Sequence, residues 1–473
     1  MRQGCIVVLD VGKTLAKLTM WSREGRLLDR RTRPNELVSA DGYACLDTEG
    51  ITAWLGAALK SLSRIGEIAA IIPVGHGAAA CIMDERGLCL PPVDYEAELP
   101  VDIRTRYVAL RDPFALTGSP CLPAGLNLGA QLFWLDEIAP EKARGGRIVT
   151  WAQYWAWLLS GVMSTEVTSL GCHSDLWLPG ESKPSPLAVS RGWAARLAPL
   201  RKAGEVLGPV TEEWRARCDL PKDCAVLCGV HDSNAALFAA RLHEEVDNRE
   251  FTVLSTGTWF VAMRSAVSKV DLAALPEHRD CLVNCDVFGS PVPSSRFMGG
   301  REIELIEEAA ADPIDPALHA DILLRRAARA VEAGVFVLPS FQKGVGPFPD
   351  KQARWLPARP RDPFDRRAVG SLYLALMADT TLDLIGSAER LLIEGRFASD
   401  PVFTRALATL RANQTVYLSQ MQDTVPLGAL RLAGAELRQA SALERVVPLD
   451  HDLRQYARRW RELAQDLPHA AHA

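Results

Sequence analysis

Cys5-Ile6-Val7-Val8-Leu9-Asp10-Val11-Gly12-Lys13-Thr14 is an apolar run that breaks into a turn. A second run of this kind, Phe251-Thr252-Val253-Leu254-Ser255-Thr256-Gly257-Thr258-Trp259, lies in the other half of the chain. A strand that ends in a turn of glycine and hydroxyl residues directs backbone N–H groups and hydroxyls to one point, which suits phosphate oxygens. The first copy carries Asp10, a carboxylate suited to hydrated Mg²⁺, where the second has Ser255. We interpret the pair as a duplicated scaffold for a nucleotide; the alternative is two ordinary strands with tight turns.

The length and composition predict a soluble protein of two large domains. The chain has 473 residues, too many for one core, with 48% hydrophobic and 23% charged residues. The net charge of −5 argues against a nucleic-acid surface, which needs clustered Lys and Arg. The longest apolar stretch, residues 68–83, is interrupted by Pro73, Gly75 and Gly77. The N-terminus lacks a signal-peptide pattern. We therefore expect no nucleic-acid or membrane partner.

The eleven cysteines do not predict a disulfide scaffold in a chain of this size. Cys224 and Cys228 lie four residues apart, as do Cys281 and Cys285, and His231 follows the first pair. Zinc sites more often use other spacings with a second ligand pair nearby. We expect buried reduced thiols and a cytoplasmic protein.

Apolar periodicity and turn residues predict the order of the elements. The predicted strands are 5–10, 15–21, 27–33, 68–74, 225–230, 251–256, 259–264, 281–288 and 334–339. The predicted helices are 51–64, 127–138, 151–160, 233–242, 366–391 and one from Pro401. Residues 342–364 are rich in Pro, Gly and Arg and are predicted to form a long surface loop. The charged segment 241–250 marks the boundary between an N-terminal domain, 1–244, and a C-terminal domain, 245–473.

Asp232 is the candidate general base. It follows the apolar run 225–230 and opens the predicted helix, so its carboxylate projects at a domain edge. The alternative is a helix N-cap, a position that favours Asp strongly. Local sequence alone leaves both interpretations open.

Several segments resemble the FGGY family of carbohydrate kinases, in the actin/hexokinase-like superfamily. The matching segments are Asp10–Thr14 with Lys17 and Glu24-Gly25, Asp84–Gly87, Gln131–Pro140, Gly229-Val230-His231-Asp232, Ser255–Trp259, Gly334–Ala353 and residues 395–403. The His231-Asp232 pair and the Ser255–Trp259 loop are most similar to the rhamnulose and fuculose kinase branch. The matches run in order over residues 5–434.

The resemblance implies a fold and an activity. The expected fold is α/β, with two actin/hexokinase-like (ribonuclease H-like) domains. Each would be a mixed five-stranded sheet flanked by helices, with the active site in the interdomain cleft. The implied reaction transfers the γ-phosphoryl group of MgATP to a hydroxyl of a ketose (a pentulose or hexulose, including deoxy-ketohexoses) or a related polyol. The first domain would bind the sugar and the second the nucleotide. ATP and Mg²⁺ are the implied cofactors, and a homodimer is the expected assembly.

The resemblance also assigns site residues. Asp232 would be the general base, and Asp10 and Asp232 would hold the metal. The sugar would contact His76, Asp94, Tyr95, His231 and Asp232. The nucleotide would contact Gly12, Lys13, Thr14, Thr256, Gly257, Thr258, Gly395, Arg396 and Phe397.

Two segments depart from the family pattern. Gly395-Arg396-Phe397 replaces a triple glycine, so Arg396 could pair with phosphate and Phe397 stack on adenine, or both could narrow the site. His76 replaces the usual Gln of the sugar segment, and Asp94-Tyr95-Glu96 lacks the family's Arg. Sugar specificity is therefore expected to have diverged. The alternative is a sugar-binding or regulatory protein on the same fold that has lost turnover.

Overall fold

The structure is a computed structural model and describes residues 4–40, 42–308, 314–438 and 440–466. It divides into two units. Unit 1 comprises the chain up to Leu242 with Val283–Val292 and Asp423–Ala440, and unit 2 comprises His243–Leu282, Pro293–Gln422 and the chain from Ser441. A single cut between residues 244 and 245 is thus too simple, because two later segments group with the first unit. The separate assignment of sugar and nucleotide to the two domains stays a prediction.

Unit 1 is built on a mixed seven-stranded sheet. In spatial order its strands are Val206–Pro209, Ala225–Leu227, Ile68–Gly75, Cys5–Val11, Leu15–Trp21 and Leu27–Pro34, with Val230–His231 also pairing with Ile68–Gly75. The two central strands, Cys5–Val11 and Ile68–Gly75, are parallel to each other and buried along almost their whole length. That burial explains their continuous apolar sequences, since helices cover both faces of such strands.

The register of this sheet brings three candidate residues to one edge. Asp10 lies opposite Lys17 on the antiparallel neighbour and opposite Val74 on the parallel one. His231 lies opposite Gly75. Because parallel strands end at the same edge, Asp10, the segment after Gly75 and the start of the helix at Asp232 meet there.

The other elements of unit 1 surround this sheet. The helices are Thr48–Leu62, Val101–Leu110, Phe114–Thr117, Leu128–Ile138, Pro140–Gly145, Trp151–Ser160, Val167–Leu170, Pro186–Ser190, Trp193–Arg196, Glu212–Cys218, Asp232–Ala240 and Thr424–Leu432. The short strands are Leu37–Ala40, Tyr43–Leu46, Ala80–Asp84, Gly87–Leu90, Arg147–Thr150, Thr165–Glu166, Trp177–Leu178, Lys183–Pro184 and Leu200–Arg201.

A second seven-stranded sheet, five of whose strands lie wholly in unit 2, repeats the plan. Its strand order is Cys281–Cys285, Pro291–Phe297, Phe260–Ser265, Phe251–Thr256, Arg390–Gly395, Thr415–Leu418 and Glu444–Arg445. Phe251–Thr256 pairs antiparallel with the next strand and parallel with Arg390–Gly395, as the first strand of unit 1 does with its neighbours.

The remaining elements of unit 2 are helices and one hairpin. The helices are Gly299–Glu307, Ala320–Ala333, Pro363–Leu384, Pro401–Leu410 and Arg454–Gln465, with 3₁₀ turns at Leu272–Ala274, Glu277–Arg279 and Arg396–Ser399. The hairpin pairs Phe336–Leu338 with Arg354–Leu356.

The predicted mixed α/β, two-domain fold is confirmed, but three details are wrong. Each sheet has seven strands rather than five. In unit 1 the pattern missed Val206–Pro209 and merged two short strands into 225–230, because strands of two to four residues leave no readable alternation. In the second sheet the sequence analysis also missed the longer inner strands Pro291–Phe297 and Arg390–Gly395. The helix predicted over 366–391 ends at Leu384, and the apolar residues that follow form the strand Arg390–Gly395. The loop predicted over 342–364 contains a strand of the hairpin and the start of a helix. None of the described helices is long and apolar enough to span a membrane.

Candidate active site

Asp10 lies almost fully buried at the end of the first strand, with 8% of its surface exposed. Its Oδ2 accepts a hydrogen bond of 3.3 Å from Lys17 Nζ on the neighbouring strand. Burial raises the pKa of Asp10 to about 6, the Lys17 ammonium opposes this rise, and the negative charge of Asp232 adds to it. Two carboxylates thus influence each other at one sheet edge, a local excess of negative charge that favours a cation or a proton.

Asp232 is the first residue of its helix, and its carboxylate is partly exposed. Oδ1 accepts hydrogen bonds from Ser233 N (2.5 Å) and from His231 Nε2 (3.1 Å). The helix N-cap is His231, which makes no side-chain cap bond. Burial acts to raise the pKa of Asp232, but the adjacent His231 outweighs this effect and the net pKa is lowered. Asp232 therefore presents an ionised carboxylate, and the N-cap alternative does not describe its contacts.

His231 is buried and lies between two acidic groups. Besides Asp232, its Nε2 lies 3.7 Å from Cys172 Sγ, and its Nδ1 lies 2.9 Å from the Asn234 side-chain amide. Burial acts to lower the pKa of His231, whereas Cys172 and Asp232 raise it well above the usual value. The backbone N–H of His231 donates to Thr168 Oγ1 (2.9 Å), which holds the backbone at this position.

His76 is held between Trp151 and Tyr95 in the segment that follows the Ile68–Gly75 strand. Its ring stacks on Trp151 at a centroid distance of 5.6 Å and meets Tyr95 edge-on at 5.2 Å. A Cβ at Gly75 would lie 2.7 Å from the Trp151 ring, so glycine there allows the stack. Neither ring nitrogen has a hydrogen-bond partner among the described residues. Burial lowers the pKa of His76 to about 4, so a neutral imidazole offers one donor and one acceptor to a polar ligand.

Lys13 and Asp94, which the sequence assigned to phosphate and sugar respectively, form an ion pair. Lys13 Nζ also lies 3.5 Å from Glu96 Oε2 and 5.1 Å from the centre of the Tyr95 ring. Lys13, Asp94 and Glu96 border a cavity of about 240 Å³. Its lining consists of Gly12, Lys13, Thr14, Asn35, Glu36, Leu37, Leu46, Asp47, Ile51, Asp94, Glu96 and Trp151.

The first phosphate turn is closed by internal hydrogen bonds. Gly12 N donates to the carbonyl of Leu15 (3.1 Å), and Asn35 Nδ2 donates to the carbonyl of Gly12 (2.8 Å). The amide of Gly12 is therefore engaged within the turn, while the Thr14 side chain is exposed. Sequence reasoning missed Asn35, although its position directly after Pro34 is a turn signal.

The second turn, in unit 2, is closed in the same way. Gly257 N donates to the carbonyl of Trp259 (3.0 Å) and Thr258 is exposed. Thr256 Oγ1 donates to the carbonyl of Glu394 (2.5 Å) and accepts from Phe397 N (3.1 Å). The Thr256 hydroxyl thus joins this turn to the segment at residues 395–397.

The interpretation of Phe397 as a plate for adenine does not fit the structure. Its side chain is 2% exposed and its ring packs at 5.0 Å from Phe260, in a cluster that includes Phe403. Arg396 is exposed, and its guanidinium lies 5.4 Å from the Phe397 ring. Gly395 has φ of +88°, and a Cβ there would clash with the Thr256 carbonyl oxygen. The turn thus keeps one obligatory glycine and buries the aromatic ring beneath it.

The structure also identifies two residues that the sequence analysis passed over. Glu394 lies opposite Ser255 on the neighbouring strand of the second sheet. Ser255 occupies the position that Asp10 has in the first turn, so Glu394 supplies a carboxylate one strand away from that position. Burial raises the pKa of Glu394. Trp151 is 1% exposed, borders the cavity and stacks on His76. The sequence signal that could have identified Glu394 is its position directly before Gly395, which was assigned to the nucleotide.

The carboxylates of unit 1 fit a hydrated Mg²⁺ better than a fully protein-coordinated metal. Asp10 and Asp232 repel each other electrostatically, so a dication between them would relieve the excess charge. No group of three His, Cys, Asp or Glu in the described ranges is arranged to hold a metal ion. Mg²⁺ typically keeps several waters and takes one or two carboxylates.

Comparison with known proteins gives consistent results. The family model described as "Carbohydrate kinase FGGY, C-terminal domain" matches residues 248–441. The crystal structure of a carbohydrate kinase from Novosphingobium aromaticivorans is 46% identical, covers 98% of this chain and 99% of that chain, and superposes with a TM-score of 0.93. A xylulose kinase structure from Rhodospirillum rubrum, 20% identical over 98% of both chains with a TM-score of 0.76, shares the fold.

Among curated proteins the chain is similar to L-fuculokinase from Escherichia coli (strain K12). The two are 25% identical over 297 residues, which span 59% of this chain and 60% of that protein. The chain thus matches about three-fifths of the length of this relative.

Proposed function

Because this chain belongs to the FGGY family of carbohydrate kinases, we propose that it is an ATP-dependent sugar kinase. It transfers the γ-phosphoryl group of MgATP to a hydroxyl of a ketose or a related polyol. The observation that carries this proposal is Asp232, an ionised and partly exposed carboxylate at a sheet edge that it shares with Asp10.

Asp232 acts as the general base. Its Oδ1 is occupied by Ser233 N and His231 Nε2, so Oδ2 is the oxygen that accepts the proton of the attacking sugar hydroxyl. The lowered pKa keeps the carboxylate ionised at neutral pH. The sugar oxygen then forms a bond to the γ-phosphorus while the bond to the β-bridging oxygen breaks, releasing ADP. Positioning and charge neutralisation account for most of the acceleration in such transfers.

Asp10, with Asp232, would hold Mg²⁺ through water in unit 1. When bound, the ion neutralises charge on the phosphate oxygens. Lys17, paired with Asp10, adds a positive charge beside the same strand end. In unit 2, the exposed Thr258 and Arg396 are the candidate phosphate contacts, with Gly257 shaping the turn.

His76, Tyr95 and Asp94 supply the sugar contacts. Unpartnered nitrogen atoms on a buried ring are costly unless a ligand satisfies them, and a polyhydroxylated ligand provides both donors and acceptors. The similarity to L-fuculokinase favours an open-chain deoxy-ketohexose within the ketose class.

A coupled ADP-release assay tests the proposal. The panel contains L-fuculose, L-rhamnulose, xylulose, ribulose and glycerol, with an aldose of matched carbon number as the control. We expect ADP release that depends on one ketose or polyol and on Mg²⁺. Sugar binding by calorimetry without ADP release above the sugar-free rate would instead support the alternative of a sugar-binding protein that has lost turnover.

A further inference from the structure

Lys13 is the one cation inside the first phosphate turn, and it faces the sugar segment. Its ammonium pairs with Asp94, lies 3.5 Å from Glu96 and sits over the Tyr95 ring. The Lys13 side chain is 14% exposed and that of Asp94 is 2% exposed. Lys13, which the resemblance assigns to the transferred phosphate, is thus enclosed by Asp94 and Tyr95, which it assigns to the sugar, and by the adjacent Glu96.

Asp94 is held rigidly in this position. Its Oδ1 accepts a hydrogen bond from Glu96 N (2.8 Å), its own N–H donates to the carbonyl of Ala44 (2.9 Å), and its carbonyl accepts from Ala97 N (2.9 Å). Removing one partner of a buried ion pair leaves an uncompensated charge, which is strongly unfavourable. Lys13 therefore does not leave Asp94 unless another donor takes its place.

A sugar hydroxyl is such a donor. Asp94 borders the 240 Å³ cavity together with Glu96 and Trp151, and His76 contacts both Trp151 and Tyr95. A polyhydroxylated ligand that reaches the unpartnered His76 nitrogens would therefore also approach the carboxylate of Asp94. Hydrogen bonds from O–H groups to a carboxylate are short and strong.

We propose, on the basis of the proposed kinase function, that Asp94 is a positioning residue that holds Lys13 away from the transferred phosphate until a sugar hydroxyl donates to Asp94. The released ammonium then pairs with the γ-phosphate. The γ-phosphate acquires this cation only when the acceptor sugar is present, which restrains transfer to water.

Nucleotide binding without sugar tests the holding step. Calorimetry compares MgADP with Mg-AMP-PNP, an analogue that retains the γ-phosphate, on wild type, Asp94→Asn, Lys13→Met and the double variant. We expect wild type to bind both nucleotides with similar affinity. Asp94→Asn should prefer AMP-PNP by about fivefold or more, the scale of a charge-assisted contact. The double variant should lose that preference. A preference equal to wild type in Asp94→Asn, or one that persists without Lys13, overturns the proposal.

Two further measurements keep the test decisive. Glu36→Gln removes a charge from the same cavity without changing Lys13, so its AMP-PNP preference should match wild type.

In wild type, the sugar that gives the fastest ADP release should raise the AMP-PNP preference, and Lys13→Met should abolish that rise. This measurement needs no Asp94 variant. An unchanged preference there also refutes the role of Asp94. If no variant binds either nucleotide, the kinase function itself fails; if all bind with one unchanged ratio, only the role of Asp94 fails.

Discussion

At the scale of single residues, the two acids of unit 1 owe their properties to different neighbours. Burial, together with the negative charge of Asp232, raises the pKa of Asp10. The adjacent His231 lowers the pKa of Asp232. Two carboxylates with divergent pKa values at one site are typical of acid–base and metal chemistry. The roles assigned to them can be tested separately.

Replacing Asp232 with Asn should lower kcat by at least ~10², because the substitution keeps the shape of the side chain but removes the proposed general base. Sugar affinity should change little, and the melting temperature should fall modestly because His231 loses its ionised partner. Asp362→Asn is the matched control, since Asp362 is an N-cap carboxylate that accepts from Phe364 N in unit 2. Less than a threefold loss of turnover in Asp232→Asn would show that another group takes the proton.

The burial of Glu166 predicts that the free energy of unfolding depends on pH. It is fully buried, Oε2 accepts hydrogen bonds from the Thr168 amide (2.9 Å) and hydroxyl, and Oε1 has no partner among the described residues. Burial raises the pKa of Glu166 to about 7, from a usual 4.5. The native state therefore binds this proton more tightly than the unfolded state, and the stability it contributes is lost as pH rises from about 4.5 to 7.

Glu166→Gln, which stays neutral, should therefore match wild type in stability at pH 4.5 and exceed it at pH 8, by up to about 3 kcal/mol. Urea unfolding at both pH values measures the difference. Glu205→Gln, at a more exposed position, serves as the control and should show no such divergence. Equal stability of wild type and Glu166→Gln at pH 8 would mean that Glu166 is ionised in the native state at no cost.

At the scale of elements, the segment Gly395–Phe397 both packs the core of unit 2 and exposes a positive charge. Gly395 closes against the Thr256 carbonyl, and Phe397 anchors the following 3₁₀ turn in the aromatic cluster. The Arg396 side chain is exposed. The departure from the family's triple glycine is thus one core residue and one exposed cation.

Phe397→Ala should lower the free energy of unfolding by about 3–5 kcal/mol, because it removes a buried aromatic ring and leaves a cavity. Arg396→Ala should change stability by less than about 0.5 kcal/mol, since the side chain is exposed, and should weaken MgATP binding several-fold if Arg396 contacts phosphate. Urea unfolding and calorimetry separate the two effects. Tighter MgATP binding by Arg396→Ala would show that this side chain obstructs the nucleotide.

At the scale of the whole molecule, the proposed function predicts that MgATP raises stability by mass action, since a ligand that binds only the native state stabilises it. A nucleotide concentration a hundredfold above Kd stabilises by roughly 2.7 kcal/mol. Thermal unfolding with and without MgATP should therefore show an upward shift for wild type and a much smaller one for Asp10→Ala. Without ligand, Asp10→Ala should not melt earlier than wild type, because the burial that raises the pKa of Asp10 penalises its charge. An equal MgATP shift in both proteins would show that Asp10 does not support metal binding.

The sequence by itself determined the duplicated α/β plan, the positions of most long strands and helices, and the candidacy of Asp10 and Asp232. The fold class rests on the motif resemblance, whereas the elements and the two acids rest on local patterns: apolar runs, turn residues and helix starts. Only the tertiary structure decided that Lys13 pairs with Asp94, 81 residues away, that His76 lies between Trp151 and Tyr95, and that Phe397 is buried. It also added strands that the sequence pattern missed, among them the inner strand Pro291–Phe297. The physical reason is that side-chain pairing and burial depend on which distant segments the fold brings together, and the local spacing of apolar residues carries no information about those segments.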